Sequence, residues 1–153
     1  MKYVILIPIY NDRESLKLLV ENINHEIKDL NHEISIVVIN DASSQQIIDS
    51  YPNIENISSL EIINMKENRG HARCIASGLK YIFEKKEFDF VIPMDGDGED
   101  RPEEVKNFIK FSEQSSEKSI IGERVERSEG IIFKACYQFH KFLTLAFTGQ
   151  SIK

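Results

Sequence analysis

The stretch Val91-Ile92-Pro93-Met94-Asp95-Gly96-Asp97-Gly98-Glu99-Asp100-Arg101-Pro102-Glu103-Glu104 decides the reading of the fold. The apolar run from Phe88 to Met94 predicts a buried strand. It breaks into a loop with four acidic side chains in the six residues Asp95 to Asp100. Gly96 and Gly98 let the backbone turn where side chains would obstruct it. Pro102 suits the first turn of a following helix, and Glu103 and Glu104 suit the positive end of its dipole. Carboxylates crowded this closely repel one another unless positive charge sits among them. A hard divalent cation with oxygen ligands, Mg²⁺ or Mn²⁺, is the natural partner. Such an ion brings phosphate oxygens with it. The stretch therefore predicts a metal-assisted site for a phosphorylated donor, at the carboxyl end of a strand in an α/β sheet.

The rest of the chain supplies that sheet. Tyr3 to Ile9 is a continuous apolar run rich in β-branched residues, a strand buried on both faces as in parallel sheets. Pro8 lies near its end. Leu16, Leu19, Val20, Ile23 and Ile27 form one helical stripe, with Asp12 as its N-cap. Ile34 to Ile39 is a second buried strand, running into the polar loop Asn40-Asp41-Ala42-Ser43-Ser44. A short helix is predicted over Gln45 to Tyr51 and a third strand over Leu60 to Asn64. From His71 to about Lys85 a helix follows, its stripe read as Ala72, Ile75, Ala76, Leu79 and Phe83. Gly78 inside it signals close packing or the approach of another backbone. Beyond the acidic loop, Val105, Phe108 and Ile109 give the next helix its core face. Ser119 to Gly122 reads as a short strand, 123–130 as a charged loop, and Ile131 to Phe147 as an amphipathic helix. Strands alternating with helices predict an α/β fold with a mostly parallel sheet. In such a sheet the loops after strands one, two and four share one edge, where open α/β sheets bind ligands.

The bulk numbers exclude several classes. A chain of 153 residues fits one domain over 1–153, with 41% hydrophobic and 29% charged residues as in globular proteins. The formal net charge of -6 argues against a nucleic-acid binder. Cys74 and Cys136 lie far apart in apolar helical patterns and read as buried thiols of a reducing, cytoplasmic compartment. No CxxC or HxxxH spacing supports zinc. The apolar N-terminal run is too short for a signal peptide, and no stretch reaches the roughly 18 apolar residues of a membrane span.

Five segments together resemble the inverting glycosyltransferases of family 2, on the nucleotide-diphospho-sugar fold called GT-A. They are Ile7-Pro8-Ile9-Tyr10-Asn11 with Glu14, Val38-Ile39-Asn40-Asp41-Ala42-Ser43, Asn68-Arg69-Gly70-His71-Ala72 with Gly78-Leu79, Met94 to Glu103, and Gly122-Glu123-Arg124. They cover nearly the whole chain in family order, and the resemblance is strongest to dolichol-phosphate-mannose-synthase-like and bacterial cell-surface members. It implies transfer of a sugar, with inversion, from a UDP- or GDP-linked donor to a polyprenyl phosphate or a growing glycan. It implies that Pro8, Tyr10 and Glu14 meet the base, and that Asp41 lies near base or ribose. It makes Asp95 and Asp97 the D-x-D pair, one facing ribose or sugar and the other holding Mg²⁺ or Mn²⁺ on the diphosphate. Arg124 becomes a basic group near the phosphates. Two departures stand out. Asn40 occupies a position where the family commonly has an aspartate, and the chain stops at Lys153, where family members continue with an acceptor-side segment. The expectation is thus a donor-binding part whose acceptor-side part is missing, with an inactive donor-binding fragment as the alternative.

The residue chemistry leaves some choices open. Asp100 is either the base that takes a proton from a hydroxyl acceptor or the cap of the helix at Pro102. A phosphate acceptor needs no base. Arg124 suits a phosphate clamp, and Arg127 suits surface pairing with neighbouring glutamates. His71 is either a diphosphate contact at a helix start or a polar turn residue. His140 and Lys141 are expected to face solvent. The helix over Ile131 to Phe147 either packs on the protein or lies at a membrane surface beside a lipid-linked acceptor, which would put the protein on the inner face of the cytoplasmic membrane. A haloacid-dehalogenase-type phosphatase shares D-x-D-G but wants Thr or Ser where Glu99 stands. An EF-hand counted from Asp95 fails at Asp100 and Lys106, and no GxGxxG follows the first strand.

Overall fold

The computed structural model describes residues 1–45, 51, 54–114, 119–122, 137–139 and 141. They fall into two compact units, Met1–Lys118 and Ser119–Lys153. The first unit carries the elements β1 (Lys2–Ile9), α1 (Arg13–Glu26), β2 (Glu33–Asn40), β3 (Ser59–Asn64), α2 (His71–Lys85), β4 (Phe90–Pro93) and α3 (Glu103–Gln114). The sheet runs β3-β2-β1-β4, with every pairing parallel. The expected α/β architecture with a parallel sheet flanked by helices is what the chain forms.

The strand alternation sorts the core. Tyr3, Ile5, Ile7 and Ile9 of β1 and Ile34, Ile36 and Val38 of β2 face one side, where α1 supplies Leu16, Leu19, Val20 and Ile23 and α3 supplies Val105 and Ile109. Val4 and Leu6 of β1 and Val37 and Ile39 of β2 face the other, against Cys74 and Ile82 of α2. β1 and β2 are therefore buried on both faces, which is why their sequences read as unbroken apolar runs. Tyr3 hydroxyl lies 2.9 Å from Ser112 Oγ, and Lys106 Nζ lies 3.1 Å from Glu26 Oε2, so α3 is tied to β1 and to α1.

Three expectations need correction. The apolar stripe of α2 is Cys74, Gly78 and Ile82, while Ala72, Ala76, Leu79 and Phe83 are exposed, Phe83 at 79%. The cause is steric. A Cβ on Gly78 would stand 2.8 Å from Ile39 Cγ1 and 3.1 Å from Leu6 Cδ2, so the small residues form the face that nests on the sheet. β4 is shorter than the run Phe88 to Met94 and only half-buried, because among the described strands it pairs with β1 alone. Ser119 to Gly122 forms no strand, and Ile121 is exposed. Two apolar residues without a partner strand among the described residues make no ladder.

In the second unit Tyr137 to Phe139 and Lys141 are helical, as expected there, and Lys141 Nζ stands 5.1 Å from the Tyr137 ring centroid. Residues 46–50 of the predicted helix over Gln45 to Tyr51, the loop with Arg124 and Arg127, Cys136, His140 and most of Ile131 to Phe147 lie outside the described residues. No helix among the described residues is long and apolar enough to cross a membrane.

Candidate functional site

The strand order reverses direction between β1 and β4, the switch point where parallel α/β sheets open a crevice beyond their carboxyl ends. Two loops flank it, Tyr10-Asn11-Asp12 after β1 and Asp95 to Arg101 after β4. Met94 N–H donates to Leu6 carbonyl at 2.9 Å, ending the ladder. Pro8, two residues on, faces the same way past the last β1–β4 pair, so its missing N–H forfeits no sheet bond.

The acidic loop is seated on β1 by Gly96. A Cβ there would stand 2.9 Å from Pro8 carbonyl oxygen and 3.0 Å from Ile9 Cδ1, so the backbone between Asp95 and Asp97 lies directly on the strand end. Gly98 has φ +83 with open space around it, so its requirement is conformational. Asp95 N–H donates to Asp100 Oδ2 at 2.9 Å, and Glu99 N–H donates to Asp97 Oδ1 at 2.9 Å. Asp100 therefore braces the loop across its base, a role that neither sequence alternative contained. Asp97 is exposed and Asp95 half-buried. Burial is the main force raising the Asp95 pKa above its ordinary value; His71 opposes it, and Asp100, Asp97 and Glu99 add to it.

The neighbouring loops lock onto one another, and one contact ties them to the acidic loop. Asn11, left-handed at φ 53, accepts at Oδ1 from Ser44 N–H at 2.8 Å, and its own N–H donates to Ser43 Oγ at 2.8 Å. Asn40 accepts at Oδ1 from Ser43 N–H at 3.0 Å and donates through Nδ2 to Asn64 Oδ1 at 2.7 Å. Asp41 accepts from Arg69 N–H at 2.8 Å and from Gly70 N–H at 2.9 Å, fastening the start of α2. His71 then brings Nε2 to 3.4 Å from Asp95 Oδ1.

Of the residues expected to meet a nucleotide, Tyr10 and Glu14 are exposed at this edge, whereas Pro8 and Asp41 are buried. Asp12 caps α1 as expected, its Oδ1 accepting from Ser15 N–H at 3.2 Å. A cavity of about 490 Å³ lined by Asn11, Asp12, Arg13, Glu14 and Gln45 opens beside them. Sequence reasoning placed Asn11 in the first loop but gave it no role of its own; its signal was an asparagine two residues past β1, a residue type enriched in left-handed turns. It left His71 between a diphosphate contact and a turn residue, and Asp95, 24 residues away by number, is brought close to it only by the fold.

Mg²⁺ or Mn²⁺ fits the chemistry of these residues. Asp95 and Asp97 are hard oxygen donors, and a cation would relieve the repulsion that Asp100, Asp97 and Glu99 add to burial at Asp95. Among the described residues no group of three or more His, Cys, Asp or Glu is arranged to hold a metal. An ion of this type needs only one or two carboxylates when substrate phosphates complete its shell.

Residues 4–148 match the family described as Glycosyl transferase family 2. Over 156 aligned residues the chain is 28% identical to an undecaprenyl-phosphate 4-deoxy-4-formamido-L-arabinose transferase of Photorhabdus laumondii, covering 99% of this chain and 46% of that protein. A transferase of the same name from Pseudomonas savastanoi is 32% identical over 118 residues, 74% of this chain and 34% of its own length. The chain thus spans less than half the length of these relatives. Among solved structures, S. aureus TarS 1-349 in complex with UDP-GlcNAc superposes at a TM-score of 0.58 and 22% identity, over 84% of this chain and 38% of that one. Mannosyltransferase PcManGT from Pyrobaculum calidifontis, in complex with GDP-Man and Mn²⁺, does so at 0.51 and 19% identity, over 72% and 32%. These two establish a shared fold, the GT-A α/β sheet. With nearly all of its length matched, the chain belongs to glycosyl transferase family 2.

Proposed function

We propose that the chain is the donor-binding part of an inverting glycosyltransferase that moves a sugar from a UDP- or GDP-linked donor onto a polyprenyl phosphate. The observation that carries this reading is the acidic loop seated on the end of β1 at the switch point, with Asp95 beside His71 of α2 and Asp97 exposed. Tyr10 and Glu14, exposed beside the cavity, would receive the base, and Pro8 would shape the floor beneath. Asp95 would face ribose or sugar. Asp97, on the exposed limb of the loop, would hold Mg²⁺ or Mn²⁺ on the diphosphate, and Arg124 would add positive charge near the phosphates. When bound, the ion supplies Lewis-acid neutralisation of charge on the leaving nucleoside diphosphate.

In the reaction an acceptor oxygen forms a bond to the anomeric carbon from the face opposite the diphosphate. The carbon–oxygen bond to the diphosphate breaks, and its electron pair leaves with the nucleoside diphosphate, so the configuration inverts. A phosphate acceptor is already an anion and gives up no proton, which leaves Asp100 to its brace on Asp95 N–H. With a hydroxyl of a growing glycan as acceptor, Asp100 would have to take a proton as well. The names of the similar relatives, transferases acting on undecaprenyl phosphate, favour the phosphate. Such an acceptor sits in a membrane, so the protein would work at the inner face of the cytoplasmic membrane.

The test is transfer from radiolabelled UDP- and GDP-sugars to polyprenyl phosphate in vesicles, with Mn²⁺ and with chelator. Metal-dependent formation of a lipid-linked sugar of inverted configuration is expected. Transfer that is insensitive to chelator, or that goes to a hydroxyl acceptor and not to the phosphate, would contradict the proposal.

A further inference from the structure

The loops after β1 and β2 are tied to each other by one residue. Asn11 Oδ1 accepts from Ser44 N–H at 2.8 Å, from Ser44 hydroxyl at 3.0 Å and from Gln45 N–H at 3.4 Å. Its own N–H donates to Ser43 Oγ at 2.8 Å, so a single asparagine engages three successive residues of the second loop. Arg13 N–H adds a bond to Gln45 Oε1 at 3.4 Å. Both loops carry a left-handed residue that is not glycine, Asn11 at φ 53 and Ala42 at φ 56. Backbone of this kind persists only where its surroundings hold it, and here each loop holds the other. The cavity of about 490 Å³ is lined by residues of both, since Asn11, Asp12, Arg13 and Glu14 follow β1 and Gln45 follows β2. Its shape therefore depends on the bonds at Asn11.

We propose that Asn11 is a positioning residue for the base of the donor. It fixes the stretch that carries Tyr10 and Glu14 against the loop from Asp41 to Gln45, and so sets the cavity before a nucleotide arrives. A site already held in its bound geometry gives up less freedom on binding, and it tolerates displacements of only about half an ångström. Asn11 acts through these neighbours, because its Oδ1 is taken up by donors of the protein itself. The proposal rests on the nucleotide-sugar reading above and adds to it the residue that holds the two loops together.

Hydrogen exchange and nucleoside binding test it together. In the wild-type chain the amides of Ser44 and Gln45 should be protected, although both residues are exposed. Exchange at the rate of an open loop would overturn the tie without recourse to any variant. Asn11→Gly keeps the left-handed backbone and removes the acceptor. Asn11→Asp keeps both, since aspartate also tolerates this conformation and its Oδ1 still accepts. Uridine and guanosine, which carry no charge, are titrated into wild type and the two variants, so that the added carboxylate meets no diphosphate. Asn11→Gly should expose both amides and weaken the preferred nucleoside by about tenfold, the fold-change of one lost hydrogen bond at the upper end of its net range. Asn11→Asp should keep the protection and bind like the wild type. Equal losses in both variants, with the amides of Asn11→Asp still protected, would mean that the Asn11 amide itself touches the base and would overturn the positioning role. Wild-type affinity in Asn11→Gly with both amides exposed would overturn it as well. Protected amides in a wild-type chain that binds neither the nucleosides nor UDP or GDP in Mn²⁺ would overturn the donor reading itself.

Discussion

Gly96→Ala probes the seat of the acidic loop. The new Cβ would stand 2.9 Å from Pro8 carbonyl oxygen, 3.0 Å from Ile9 Cδ1 and 3.2 Å from Ile7 Cγ2. The isoleucine ends can rotate away. The carbonyl cannot, because it belongs to a strand registered against β2 at Pro8 and Ile9. The loop must therefore rise by about half an ångström, close to the tolerance within which a binding constellation works. Overpacking of this kind costs about 1–3 kcal/mol, or about 3–9 °C in Tm for a domain of this size. The control is Gly98→Ala, with φ +83 and open space around it. It incurs about 1–2 kcal/mol of left-handed strain with no collision against β1. Thermal melts by circular dichroism, with calorimetric binding of UDP and GDP in Mn²⁺, compare the two. Gly96→Ala should lose binding beyond its loss of stability, and Gly98→Ala should keep more of it at a similar Tm. A Gly96→Ala protein with wild-type Tm and affinity would refute the seating of this loop on β1.

Two more outcomes follow from the same structure. Ile82→Ala should cost about 2–5 kcal/mol in denaturant unfolding, and Phe83→Ser less than about 0.5 kcal/mol, because α2 buries the first and exposes the second; the reverse order would restore the stripe read from sequence. Mn²⁺ affinity, followed by electron paramagnetic resonance, should fall as pH is lowered, since ligating carboxylates must be deprotonated. Asp95, beside the ligating Asp97, has its pKa raised mainly by burial, so the negative charge it lends the ion's surroundings should begin to go at a higher pH than an ordinary aspartate's, and Asp100→Asn, by removing a repelling neighbour, should move that onset lower. The native state holds the Asp95 proton more tightly than the unfolded chain. Its ionisation therefore subtracts stability as pH rises through that pKa, and the subtraction is absent below the unfolded value.

Much of this fold was readable because burial on two faces leaves a plain mark. Unbroken β-branched runs announced β1 and β2, and a glycine followed by an amphipathic run placed α2 at its observed bounds. The place of the acidic loop was legible for the same reason, at the carboxyl end of a strand in the parallel sheet. What sequence concealed were contacts set by close approach and by distance along the chain. Phe83 outweighs Gly78 in any count of hydrophobicity, yet the glycine lies on the sheet because a larger residue would collide with Leu6 and Ile39. Asp41 bonds Arg69 and Gly70 across 28 and 29 positions, a separation no local pattern encodes. Nor does any local pattern show that the carbonyl of Pro8 is where Gly96 rests.

The most direct test of the central claim is calorimetric titration of UDP and GDP into the purified chain with Mn²⁺ or Mg²⁺, then with chelator, repeated on Asp97→Ala. One of the two nucleotides should bind with metal, lose most of its affinity with chelator, and lose it again in Asp97→Ala. Binding that survives both chelator and Asp97→Ala, or a well-folded wild-type chain that binds neither nucleotide in either metal, would contradict a metal-assisted nucleotide-sugar site at the end of β4.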